Sequence, residues 1–424
     1  MRLIKELRGT KQTLYTCFLR IETNVYAFIF LRLRSIRFLC LVALTLPPVS
    51  TSIVLLTLRA IDWMREQRAA KTSQHFVALS PQLPWYFRLA RGQEAPTTMK
   101  VTELGFTISL LRTIFVFNHV ASVLGGVYDV ADRHKGSDFL TGFRFEALGS
   151  ADPTHGRVDY VDGKTAAAMN LTFATEDSMI IKVDSTKKLD PSGPGRPSVR
   201  LRSTNEYTTF VVVAHLTHMP QGCGTWPALW TLTSTDNWPA EGEIDIMEGT
   251  NDLGPNAMTL HTSSGCMMPH VRPQAGTTNS TDCNAFINFN QGCSVQSGNP
   301  KSFGPSFNKA GGGWVAAERS NDSISVWFWS SGDPNVPKSV SGWESKVDTS
   351  TFGNPDAFFP NTFCDIPSHF GPQNIVIDCT LCGDLASVTY ATAGCPGDCV
   401  DFVNTLPEAF VDAYWEFKSI TVYT

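Results

Sequence analysis

Gly242-Glu243-Ile244-Asp245-Ile246-Met247-Glu248-Gly249 interleaves acidic and apolar side chains at the two-residue period of a β-strand. Glu243 and Asp245 therefore share one face, and Ile244 and Ile246 the other. Strict alternation would send Glu248 to the apolar face. One extra residue absorbed as a β-bulge near Ile246 or Met247 restores it to the acidic one. Glu243 and Glu248 then stand about four strand steps apart, roughly 13 Å between Cα atoms. Three carboxylates on one face repel, so at least one is held protonated beside an ionised neighbour. A solvated acidic edge strand is the bland reading of two carboxylates. Three of them, set among Ile and Met and bounded by glycines, argue against it.

Outward from this segment, short runs rich in β-branched and aromatic residues recur between Gly, Pro, Asn and Asp turns. They are 157–160, 179–183, 199–202, 208–216, 244–247, 258–262, 324–329, 374–377 and 420–423. Their spacing is that of an all-β sandwich or jelly roll. Helix-period stretches are short, the best being 399–405 and 407–413, and 191–195 is a plain Pro/Gly loop.

Charge divides the chain. Residues 1–126 hold 16 of the 34 Lys+Arg but 6 of the 39 Asp+Glu, leaving 18 against 33 for residues 127–424. The acidic part is long enough for one large domain and repels a nucleic-acid backbone, so no nucleic-acid partner is expected. In the basic part, Arg32, Arg34 and Arg37 precede an apolar stretch, 38–58, long enough to span a bilayer, although Pro47 and Pro48 interrupt it. A second segment, 99–125, starts at Met99-Lys100 and runs through an apolar core to small residues, as a signal peptide does. A type II anchor and a leader whose translation starts at Met99 remain alternatives. Either exports the acidic domain, and a membrane is engaged only through the anchor.

Nine of the 11 cysteines, Cys223 to Cys399, lie in the acidic part, scattered rather than grouped with histidines at ligand spacing. Disulfides fit better than a metal, and an odd count leaves one thiol over. Cys379-Thr380-Leu381-Cys382 has the C-x-x-C form without the βαβ context of a redox motif. Asn170, Asn279 and Asn321 begin glycosylation sequons, which together with the cysteines favour the secretory pathway. No organic or redox cofactor and no metal is expected, and no oxygen-ligand run marks a calcium site.

The chemistry open to the acidic strand is that of two glutamates leaning together over an aspartate. Carboxyls about 5 Å apart suit retaining glycoside cleavage, whereas roughly 6.5–9.5 Å admits the water of an inverting enzyme. With Glu243-Ile244-Asp245-Ile246-Met247-Glu248 as E-x-D-x-x-E, residues 127–424 resemble glycoside hydrolase family 16, in particular the fungal endo-1,3(4)-β-glucanases or laminarinases. The segments 219–230, 238–239, 256–262, 151–158 and 191–196 share that resemblance. It implies a curved, concanavalin A-like jelly-roll sandwich with an open glycan cleft, and a monomer acting on β-glucan polysaccharide. Glu243 would be the nucleophile, Asp245 its helper and Glu248 the acid/base. It also implies Trp230, Trp238 and His261 at the cleft.

Sugars present apolar ring faces edged by hydroxyls, so aromatic platforms and polar rims are wanted near the carboxylates. Arg200 and Arg202 share a strand face, and one of them, with Arg202 the choice, is expected to bind sugar hydroxyls. Trp226 is assigned to the core. The chain departs from the resemblance at Leu385, where Trp is frequent, and at His134, where an aromatic is. Loss of stacking at Leu385 should weaken glucan binding on one side by roughly 1 kcal/mol. Two other kinds of function compete: a wall-remodelling transglycosylase, which keeps the carboxylates, and a β-glucan-binding module without activity, which typically loses them.

Overall fold

The computed structural model describes the backbone of 2–9, 12–21, 24–32 and 39–43, and residues 125–424 apart from 234–236. Two units divide the chain, Met1–His119 and Val120–Thr424. In the first, Arg2–Gly9, Gln12–Ile21, Asn24–Arg32 and Leu39–Ala43 pair in sequence as an antiparallel meander. Of the apolar stretch 38–58 only Leu39–Ala43 is described, and the leader-like segment lies outside the described residues as far as Leu124. Among the described residues no helix is long and apolar enough to cross a membrane.

The second unit is a sandwich of two antiparallel sheets whose few helices sit in connections. One sheet runs Thr277–Thr278, Cys293–Gln296, Leu253–His261, Glu243–Thr250, Thr225–Leu232, Asn374–Leu381, Leu201–Ser203, Phe143–Phe145. The other runs Lys346–Asp348, Val127–His134, Tyr414–Tyr423, Phe210–His218, Gly313–Arg319, Ser323–Ser330, Ala357–Pro360. Ile244, Ile246 and Met247 of the first meet Val212, Ala214, Leu216, Val315 and Phe328 of the second in the central core.

Phe210-Val211-Val212-Val213-Ala214 is apolar without alternation because its sheet is buried on both faces. Val211 and Val213 turn outward into a second cluster with Trp327, Trp329 and Tyr423, roofed by Val340, Val347 and Phe352. A third cluster gathers under the cysteine-rich C-terminal segment around Leu381, Tyr390, Val403 and Phe410. There the helix Cys399–Thr405 forms over the expected residues, its N-terminus capped by the Asp398 side chain on the amides of Val400 and Asp401. The second helical expectation is realised only as the 3₁₀ turn Pro407–Phe410.

Four disulfides close the unit: Cys223–Cys395, Cys266–Cys364, Cys283–Cys293 and Cys382–Cys399. Cys379 is the free cysteine among the described residues, and burial pushes its thiol far up.

Candidate active site

The bulge forms where the alternation requires it. Along Thr225–Leu232, residues 232, 230 and 228 oppose Glu243, Asp245 and Glu248. Along Leu253–His261, residues 261, 259 and 257 oppose the same three. Both neighbours thus count four steps across five intervals of the acidic strand, and all three carboxylates emerge on one face. Ile246 is the extra residue, and Ile246 and Met247 both enter the core. Asn256, itself buried, locks the distortion. Its Nδ2 donates to the Ile246 carbonyl at 2.9 Å, and its Oδ1 accepts from the Glu248 amide at 2.8 Å.

Each carboxylate has its own surroundings. Glu243 is half-buried and accepts a hydrogen bond from the Trp238 indole, whose ring is 42% exposed beside it. Asp245 is buried and lies 3.3 Å from His261 Nε2. Burial, then the charges of Glu248 and Glu243, push Asp245 far above the usual carboxylate range. Burial alone would lower His261, but its contact with Asp245 and the nearby glutamates carry it up to about 10. Its Nδ1 meets Asn290 Oδ1 at 2.8 Å. Burial raises Glu248 as well, moderated by the Trp226 indole, which donates to Oε1 at 2.8 Å, and by His261. Glu243, Asp245 and His261 bring one ligand atom each within 4.8 Å of one another, a spacing a cation could bridge.

Trp226 and Trp230 are four apart on one strand, so they share the carboxylate face, and both are half-buried. The assignment of Trp226 to the core is thereby corrected. It looked like core because its strand was not foreseen: Pro227, which cannot donate to a ladder, stands in a central position opposite Cys379. Trp230 is held by Asp378, which accepts from its indole at 3.3 Å, and by Arg200, whose guanidinium carbon lies 4.8 Å from the ring centroid.

Asp378 also accepts from Arg200 Nη1 at 2.8 Å. Burial drives Asp378 up, Arg200 pulls it back, and it settles at about 7. The alternating polar residues Asn374, Asp378 and Thr380 carried a face signal that sequence reasoning passed over. Asn256 carried none, because its partners are backbone groups freed only by the bulge.

Arg202 is brought to the same region. Its guanidinium donates to Asn374 Oδ1, Glu146 Oε1 and the Thr233 carbonyl, and the residue is 8% exposed. Leu385 is 38% exposed on the helix Gly383–Thr389, whose Ala386 carbonyl accepts from Asn251 and whose Thr389 meets Thr250 at the end of the acidic strand. His134 is elsewhere: it is buried against Phe139 and Phe143, so a ring change there alters packing, not the open face.

An antiparallel sandwich whose open sheet face carries two half-buried glutamates astride a buried aspartate, flanked by three tryptophans, has the makings of a polysaccharide hydrolase. Residues 145–423 match the family model described as the XgeA-like, catalytic GH16 domain. The chain belongs to glycoside hydrolase family 16.

It is 40% identical over 300 residues to a probable glycosidase of Schizosaccharomyces pombe, covering 70% of this chain and 69% of that one. A probable endo-1,3(4)-β-glucanase of Aspergillus clavatus is 37% identical over 306 residues, of which this chain spans 46% of the length. Among solved structures, laminarinase 16A from Phanerochaete chrysosporium, with β-glucans in its donor and acceptor sites, aligns at 50% identity and TM-score 0.69, covering 70% of this chain and all of that one. An elongating family 16 β-1,3-glucosyltransferase aligns at 41% identity and TM-score 0.65 over the same shares.

Proposed function

We propose that this chain is a retaining endo-β-glucanase that hydrolyses β-1,3-linked glucan and mixed β-1,3/1,4 glucan. The observation that carries the reading is the bulge-held trio, in which burial shifts Glu248 toward its protonated form while Glu243 stands four steps away on the same face. Glu248 gives its proton to the leaving glycosidic oxygen as the Glu243 carboxylate attacks the anomeric carbon, forming a glycosyl ester. Water then attacks that carbon, losing its proton to Glu248, and Glu243 leaves as carboxylate. Asp245, buried between the two glutamates and 3.3 Å from His261 Nε2, steadies the charge that moves between them.

Trp226, Trp230 and Trp238 offer ring faces to the sugars, and Arg202 braces the adjoining wall. Four disulfides and the three exposed sequons, at Asn170, Asn279 and Asn321, support export of the domain.

The full chain incubated with laminarin, lichenan and cellulose is expected to release oligosaccharides from laminarin and from lichenan. Glu243→Ser is expected to lower kcat at least ~10³-fold, the scale of losing a catalytic group. Binding without products in the wild type would overturn the enzyme reading. A second reading, glucosyl transfer to another sugar, is favoured by the likeness to the elongating glucosyltransferase. Products longer than the substrate in the same incubations would select it.

A further inference from the structure

The acidic strand splits its sheet unequally. On one side stand Trp226 and Trp230. On the other, Leu253–His261 and Cys293–Gln296 present Ala257, Thr259, Ser294 and Gln296 to the same face, since 257 pairs with 296 and 259 with 294. Apart from the His261 imidazole beside Asp245, no ring comes from these strands, so a glucan crossing the sheet beyond His261 meets only polar side chains and Ala257 there.

The last stretch of the connection between them, 284–292, is closed at its base by Cys283–Cys293. It lies against His261 twice, through Asn290 Oδ1 at 2.8 Å and through Gly292, where an added Cβ would come within 2.9 Å of the imidazole. At its tip Asn288, Phe289 and Asn290 hold successive φ values of 50°, 57° and 58°. Asn tolerates this left-handed region, but a bulky ring there carries strain of about 1–2 kcal/mol.

The strained Phe289 is nonetheless fully solvent-exposed, and Phe286 is 72% exposed. A large apolar ring held out in water, on a strained backbone braced against a histidine of the carboxylate face, buries nothing of its own within the chain. Beyond Asn284 the surface continues into an open hollow of about 590 Å³ lined by Ser264, Met267, Thr281 and Phe363.

Resting on the glucanase reading, we propose that the loop 284–292 is a glucan subsite on the side of the cleavage point away from Trp226 and Trp230. In it Phe289 stacks on a glucosyl ring more than one unit from the scissile bond.

The test is equilibrium binding by calorimetry in a Glu243→Ser full chain, with laminaribiose and laminarihexaose as probes. Adding Phe289→Ala is expected to weaken the hexaose about five- to ten-fold, the scale of one aromatic contact, and the biose less than about two-fold. Phe289→Tyr, which keeps the ring, is expected to retain the hexaose affinity. Hexaose binding unchanged by Phe289→Ala, or an equal loss for both sugars, overturns the subsite while the glucanase reading stands. Failure of the Glu243→Ser parent to bind either sugar takes down both.

Discussion

Trp226 donates one hydrogen bond to Glu248, and that bond favours the ionised form of a group that burial drives toward its protonated form. Removing the indole N–H with Trp226→Phe therefore raises Glu248 further. In the proposed mechanism the first chemical step needs Glu248 protonated, so the alkaline limb of the kcat/KM profile is expected to move to higher pH, with little change in fold because a ring still fills the site. A limb that stays put would show that another group supplies the proton. Trp226 also marks where residue-level reading stops. A tryptophan in an unrecognised strand gives no sign of its face, whereas Glu243, Asp245 and Glu248 announce theirs by spacing. Asp378 was missed although its strand alternates, because the role of an aspartate shows only once Arg200 and Trp230 converge on it from neighbouring segments.

The acidic strand gathers its three carboxylates on one face through a defect, and that defect is held by a residue of the next strand. Asn256→Ala deletes the bonds to the Ile246 carbonyl and the Glu248 amide. Two buried hydrogen bonds at about 1 kcal/mol each predict a loss of roughly 2 kcal/mol in urea unfolding. A fall in kcat of at least about ten-fold is expected with it, as Glu248 drifts from its place. A stability loss without a kcat loss would mean that sheet pairing alone sets the bulge. The strands with alternating or β-branched patterns were legible, and the need for a bulge was legible from the carboxylates themselves. Thr225–Leu232 was not, because Pro227 argues against a central strand. In the structure, pairing on both sides overrides that local signal. The loop 284–292 was equally opaque, since nothing in its residues foretells contact with His261.

Across the whole molecule, the disulfides tie sequence-distant segments of the sandwich. Cys223–Cys395 spans 172 residues and Cys283–Cys293 spans 10. Chain entropy assigns them stabilisations of about 5 and about 3 kcal/mol. Replacing the first pair by alanine should lower the unfolding midpoint more than replacing the second. The reverse order in calorimetry would place the effect in local packing around Cys283–Cys293. Fold class and the presence of an unpaired cysteine could be read from composition and spacing, but the pairing could not, because it depends on strand order. The unpaired one, Cys379, sits on the strand Asn374–Leu381, next in sequence to Asp378 and one strand removed from the carboxylates. Buried and with its thiolate suppressed, it is silent to any alkylating reagent while the two sheets stay closed. The native chain thus carries a chemical clock in its catalytic sheet, and the rate at which iodoacetamide finds that sulfur counts how often the sandwich comes apart.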